Sequence, residues 1–108
     1  MCNSKTLSYV QKGFVTYCKN CKHFQVAFGT TATCLSPEQF TSFCHYIEKI
    51  RKQYTPENHA KEIWICLNTT ISLVLTSHEI HELAKILQTA QDNFTVYQLA
   101  YETKLCLN

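Results

Sequence analysis

The sequence predicts an α+β fold built from a duplicated strand–turn–strand–helix (ββα) unit. Three observations favour this class. The chain contains an internal repeat, apolar residues alternate with period two within the repeat, and a helical period of apolar residues follows each alternating segment. We expect an antiparallel sheet of about five or six strands, with two or three helices packed mainly on one of its faces.

The internal repeat relates residues 24–42 to residues 63–82. The turns of the two units begin at Gly29 and Asn68, the residues best able to adopt the positive φ of a tight hairpin. An offset of 39 residues aligns the strands, and one extra residue near Val74 makes it 40 for the helices. Each predicted helix then carries an apolar face, made by Phe40, Phe43, Cys44 and Ile47 in the first unit and by Ile80, Leu83, Ala84 and Leu87 in the second.

The helix starts are predicted by capping boxes, in which Ser or Thr is followed three residues later by Gln or Glu. This spacing occurs at Ser36/Gln39, Thr76/Glu79 and Thr95/Gln98. Pro37 stands at the first helical position of the first unit, where proline is favoured. The third box predicts a short separate helix near the end of the chain.

A chain of 108 residues holds one domain. The predicted order is an N-terminal hairpin at 6–22, a ββα unit at 23–51, a polar loop at 52–61, a second ββα unit at 62–91 and a C-terminal helix at 95–104. Trp64 points away from the side that carries Ile63 and Ile65. We therefore expect the N-terminal hairpin, the last helix or a second copy of the protein to cover it.

Composition excludes several classes of protein. Hydrophobic residues make up 45% of the chain and charged residues 17%, which is typical of a globular domain rather than a disordered one. The longest uninterrupted apolar run, Ile63 to Leu67, is far too short to cross a membrane. A formal net charge of +2 does not by itself indicate a nucleic-acid partner. We expect neither a membrane nor a nucleic acid as a partner.

Cysteine usage predicts a reducing compartment. The seven cysteines are an odd number, and no hydrophobic run follows the charged N-terminal residues, so we expect no secretory signal and a cytoplasmic protein with mostly free thiols. Cys34, Cys44 and Cys66 fall inside the strand and helix patterns, where we expect them to be small buried apolar residues.

The pair Cys18 and Cys21 is the one chemically suggestive motif. Two cysteines at C-x2-C spacing can bind one zinc ion from a tight turn. Two neighbouring lysines place positive charge beside the thiols, which favours metal binding or oxidation. A closed zinc site needs four ligands, and Cys2 and His23 are the residues that could help. The alternatives are a redox disulfide and a pair of reduced cysteines that shape a turn.

No local motif indicates an enzyme. The chain has two glycines and no glycine-rich phosphate loop. His78 and His81 are spaced i, i+3, whereas the zinc-protease motif needs i, i+4. We expect Glu79 to take part in the capping box, and His78 and Glu82 to be neighbours on a solvated helix face.

Three stretches show a family resemblance. They are GFVTYCKNCKHFQVAFG at residues 13–29, LSPEQF at 35–40 and LTSHEI at 75–80. Their pattern of C-x2-C, strand, Phe-Gly and Ser-Pro-Glu helix start resembles a family of short uncharacterised bacterial proteins that form a domain of unknown function. The resemblance covers nearly the whole chain. It implies a cytoplasmic bacterial protein of this size, and it implies no activity, substrate or catalytic residue.

Two hypotheses of function follow from the sequence. The first is a small non-catalytic binding or protein-interaction module, whose partner is another protein or a second copy of the chain. The second is a zinc-binding or thiol-redox protein centred on Cys18 and Cys21.

Overall fold

The computed structural model of the chain describes residues 4–54, 63–67 and 70–106. Side chains are described up to residue 100. The helices and strands within these ranges are β1 (Ser4–Val10), β2 (Gly13–Cys18), β3 (His23–Phe28), β4 (Thr31–Leu35), α1 (Pro37–Arg51), β5 (Ile63–Cys66), β6 (Ser72–Leu75) and α2 (Ser77–Cys106).

The α+β class is confirmed, but the strands form two sheets and not one. Strands β1 to β4 make a four-stranded antiparallel sheet in sequence order, and β5 pairs only with β6 among the described strands. Each hairpin is closed by a short turn, which local sequence can specify. A ladder between β4 and β5 would join strands separated by a whole helix, and no local pattern encodes such pairing. The duplication of the ββα unit stays a prediction.

The tight turn at Gly29 is confirmed. Gly29 has a φ of 62° and lies between Phe28 and Thr31, which pair across the hairpin. Its backbone N–H donates to the carbonyl of Lys12 at 2.8 Å, which ties this turn to the turn between β1 and β2. Asn68, the matching residue in the second unit, lies outside the described residues, as does most of the predicted loop at 52–61.

Both internal capping boxes form as predicted. The Ser36 hydroxyl accepts from the Gln39 N–H at 3.2 Å, and the Gln39 side chain accepts from the Ser36 N–H at 2.9 Å. Thr76 and Glu79 exchange the same two hydrogen bonds, each at 3.0 Å. These bonds satisfy backbone donors that the first helical turn leaves free.

The prediction of a separate C-terminal helix is wrong. Residues 95–104 lie inside α2, which runs without a break from Ser77 to Cys106. The Thr95 hydroxyl donates to the carbonyl of Gln91, one turn earlier, instead of capping a new helix. Between residues 77 and 106 there is neither proline nor glycine to end the helix.

The core lies between the two helices and one face of the four-stranded sheet. Phe24 of β3 stacks on Phe40 of α1, with ring centroids 4.0 Å apart and planes 6° from parallel. It also meets Phe94 of α2 edge-on at 4.8 Å. Ile63 and Ile65 of β5 join the same buried cluster. Both helices therefore cover one sheet face, which is called the inner face below.

No helix in the described part of the chain combines the length and the apolarity that a bilayer span requires. This includes α2, although it has 30 residues.

Gly13 tests the packing of β2 on β3. A Cβ added at Gly13 would overlap the backbone carbonyl oxygen of Ala27, the neighbour of its pairing partner Phe28. Because both atoms belong to paired strands, neither can move aside without disturbing the ladder. We expect Gly13→Ala to lower the free energy of unfolding by about 1–3 kcal/mol, measured by chemical denaturation. An unchanged denaturation midpoint would contradict the close approach of the two backbones.

Candidate interaction surface

The outer face of the four-stranded sheet is defined by strand register. Val15 and Val26 pair on the inner face and are buried, so the residues that alternate with them lie on the outer face. Three cross-strand rows make up this outer face: Tyr9–Phe14–Ala27–Ala32, Thr6–Thr16–Gln25–Cys34 and Ser4–Cys18–His23.

The outer face carries no Asp, Glu, Lys or Arg. The outward side of an antiparallel sheet that faces water usually carries polar residues, charged ones among them. Residues 4–35 contain four lysines, and three of them (Lys12, Lys19 and Lys22) lie in the turns. The fourth, Lys5, pairs in register with Tyr17, and its Nζ lies 5.0 Å from the centre of the Tyr97 ring of α2. Three lysines therefore lie at the ends of the sheet, and the fourth lies on its inner side.

In the first row of the outer face, the side chains on β1 and β2 are large and those on β3 and β4 are small. Tyr9 of β1 is 76% exposed, and Phe14 beside it on β2 is half-buried. Ala27 and Ala32 continue the row on β3 and β4. The surface therefore has an aromatic ridge over β1 and β2 and a shallow floor over β3 and β4.

This face is not among the predictions made from the sequence. A signal was available, because the lysines of the first 35 residues mostly coincide with predicted turns and the strand residues between them are uncharged. On β5 the alternation is as predicted, because Ile63 and Ile65 are buried and Trp64 lies beside Val74 of β6. Trp64 is 66% exposed, so neither the N-terminal hairpin nor the described C-terminal part of α2 covers it as expected.

The C-x2-C turn joins the two central strands of the sheet. Cys18 ends β2, and its Sγ accepts a hydrogen bond from the Cys21 N–H at 3.4 Å. Lys22 adopts a left-handed φ of 58°, and its N–H donates to the Cys18 carbonyl at 2.8 Å. His23 Nδ1 lies 2.7 Å from the Cys21 carbonyl oxygen, to which it can only donate. The turn is thus held at three successive residues, and it leaves Cys18 buried and Cys21 exposed.

One copy of the chain does not assemble a metal site from its described residues. Among residues 4–54, 63–67 and 70–106, no three His, Cys, Asp or Glu side chains are grouped so as to hold an ion. Cys18 and Cys21 share the turn with His23, while Cys2 lies outside the described residues. Their role as zinc ligands stays a prediction.

Cys44 is buried as expected, whereas Cys34 and Cys66 are not. Cys44 is buried in α1, where burial raises the pKa of its thiol to about 12. Cys34 and Cys66 are exposed, so the expectation that they are buried is wrong. Each occupies an outward position in its strand, Cys34 opposite Gln25 and Cys66 opposite Ser72.

The histidines of α2 lie on a polar helix face, as predicted. His78 Nε2 lies 3.2 Å from the Glu82 carboxylate, one turn along the helix, and Lys12 Nζ approaches the same oxygen at 3.4 Å. His81 Nε2 lies 2.9 Å from the backbone carbonyl of Tyr54. These contacts tie α2 to the chain around it.

The family profile that matches the chain spans residues 1–108 and is described as a family of unknown function, DUF6686. The chain belongs to this family. No curated protein and no solved structure matches it significantly. The expected membership in a domain-of-unknown-function family is confirmed, and no activity comes with it.

The contrast between Cys44 and Cys66 can be tested with an alkylating reagent. Because its pKa is raised to about 12 by burial, Cys44 stays a neutral thiol at pH 8 in the folded protein. Cys66 is exposed and open to attack. We expect iodoacetamide to modify Cys66 at pH 8 and to leave Cys44 unmodified, as read by peptide mass mapping. Modification of both at the same rate in the folded protein would contradict the burial of Cys44.

The same shift predicts how stability depends on pH. The Cys44 thiol ionises near 9 when exposed by unfolding and near 12 when folded, so the folded state binds more protons between these values. We expect this group to lower the free energy of unfolding as pH rises from about 9 towards about 12. When the wild type and Cys44→Ala are denatured at several pH values across that range, the free energy of unfolding should fall less with pH for the variant.

Proposed function

We propose that the protein is an interaction module that self-associates through the outer face of its four-stranded sheet. The absence of Asp, Glu, Lys and Arg from this face carries the proposal. Packing two such faces together buries Tyr9, Phe14 and the two alanines, together with the uncharged polar row that contains Gln25, and it avoids the cost of desolvating an acidic or a lysine side chain.

The size pattern of the first row favours a second copy as the partner. A two-fold axis parallel to the strands places β1 over the partner's β4 and β2 over the partner's β3. The ridge residue Phe14 then meets the floor residue Ala27 of the other copy, and Tyr9 meets Ala32. The same surface is complementary to itself, as a symmetric dimer requires. The strands of the two sheets run nearly aligned, as they do in sandwiches.

The outer face is large enough for a modest dimer. Four strands about 4.8 Å apart and six residues long span roughly 20 Å by 20 Å. With side-chain relief, the accessible area is roughly 600–800 Å² per copy, against about 800 Å² per partner in a standard interface. We therefore expect an equilibrium between monomer and dimer that depends on protein concentration.

A charge placed on the floor tests this interface. Ala32 is exposed in the single chain, so Ala32→Glu should leave folding intact but would bury a carboxylate against Tyr9 of the partner. We expect the variant to weaken association by roughly thirtyfold or more, measured by sedimentation equilibrium over a range of concentrations.

Ser42→Glu is the matched control. Ser42 is exposed on α1, which packs against the inner face, so the same change in net charge falls away from the proposed interface. This variant should associate like the wild type. A wild type that stays monomeric at every concentration would contradict the proposal, and so would equal association of the wild type and Ala32→Glu.

A further inference from the structure

We propose that the dimer holds one zinc ion on its two-fold axis, bound by Cys18 and Cys21 of both copies. This inference rests on the proposed self-association. A lone C-x2-C turn supplies two ligands and a structural zinc needs four, so two such turns complete one tetrahedral site with four cysteine ligands.

The position of the C-x2-C turn on the sheet places the turns of the two copies next to each other. The turn at residues 19–22 joins β2 to β3, which are the central strands of the four-stranded sheet. An axis that runs parallel to the strands and exchanges β2 with the partner's β3 must pass between these two strands. It therefore passes beside this turn, and each C-x2-C faces its own symmetry mate. The other two turns of the four-stranded sheet lie to either side of the axis.

The spacing suits a zinc–sulfur bond. Packed sheets lie about 10 Å apart, so each outer face lies about 5 Å from the plane midway between them. A cysteine side chain followed by a Zn–S bond of about 2.3 Å covers a distance of this size, so sulfurs of both copies can reach an ion near the midplane. Cys18 occupies an outer-face position by register, where its side chain is buried beneath the Cys21 N–H, while Cys21 is exposed.

Charge also favours an anionic centre on the axis. Lys19 and Lys22 flank the cysteines, and residues 4–35 contain no acidic residue to balance them. Two copies would therefore bring two lysine pairs together at the end of the interface. A zinc ion with four thiolates carries a formal charge of about −2, which offsets this repulsion. Binding releases the thiol protons of all four ligands to solvent.

The turn is already shaped to hold a thiolate ligand. The Cys21 N–H points at the Cys18 sulfur, and such N–H donors stabilise negative charge on sulfur. The left-handed Lys22 allows the chain to reverse directly after Cys21. The hydrogen bond from His23 Nδ1 to the Cys21 carbonyl fixes the peptide that carries the second ligand. His23 acts here as a positioning residue.

The experiment is a metal titration followed by sedimentation. Fully reduced, metal-free protein is titrated with cobalt(II), a spectroscopic substitute for zinc, at a concentration where the protein is dimeric. We expect the thiolate charge-transfer and tetrahedral ligand-field bands to saturate at about one metal per two chains. Elemental analysis of untagged protein purified without chelator should give the same ratio for zinc.

Variants separate the metal site from the dimer. The Cys21→Ser variant should lose the metal and dimerise about tenfold more weakly than the wild type. Removing the metal from the wild type with a chelator should weaken its dimerisation by a similar factor. Cys66→Ser, an exposed cysteine on β5, is the matched control and should keep both metal and association. Ala32→Glu, which breaks the interface, should bind no metal tightly.

The possible failures are distinguishable. A dimer that binds no cobalt, or that contains a Cys18–Cys21 disulfide, overturns the zinc inference and leaves the proposed function standing. One tightly bound metal per chain in a monomeric protein overturns both. If the wild type dimerises and the Cys21→Ser variant still binds the metal, the ligand assignment is overturned, and with it the shared site.

Discussion

The Phe24 ring is the contact on which the rest of the structure depends. It stacks on Phe40 of α1, meets Phe94 of α2 edge-on and lies 4.8 Å from the Tyr17 ring of β2. A single side chain on a central strand thus contacts both helices and the neighbouring strand. Because both helices are drawn to the face that carries Phe24, the opposite face of the sheet receives no cover from either of them. The packing of the core therefore creates the surface on which we place the function.

Local features of the structure can be predicted from the sequence, and long-range ones cannot. The capping boxes at Ser36 and Thr76 and the turn at Gly29 depend on neighbouring residues alone, and all three predictions are confirmed. Thr95 carries the same local pattern, yet Phe94 beside it packs on Tyr17 and Phe24, and the helix continues. Tertiary packing overrides the local signal there. The separation of the strands into two sheets is likewise a long-range property.

The candidate site can be predicted only in part. Its spacing singles out the C-x2-C pair, and the structure places it between strands as expected. Its position on the two central strands needs the full strand order, which the sequence does not show. The sequence shows that Lys5 is the one Asp, Glu, Lys or Arg residue within β1 to β4, but which residues share the outer face needs the register of all four strands. The proposed self-association and the proposed zinc site are linked because the C-x2-C turn joins the two central strands of the same sheet.

The most direct test of this account is an isotope-filtered NMR experiment on a mixture of labelled and unlabelled protein. Phe14 and Ala27 are cross-strand neighbours within one chain, so only a filtered spectrum separates contacts between chains from contacts within one. The account predicts intermolecular nuclear Overhauser effects from the rings of Phe14 and Tyr9 to the methyl groups of Ala27 and Ala32. A dimer whose intermolecular contacts lie elsewhere, or a spectrum with none at concentrations where the protein should be dimeric, would contradict it.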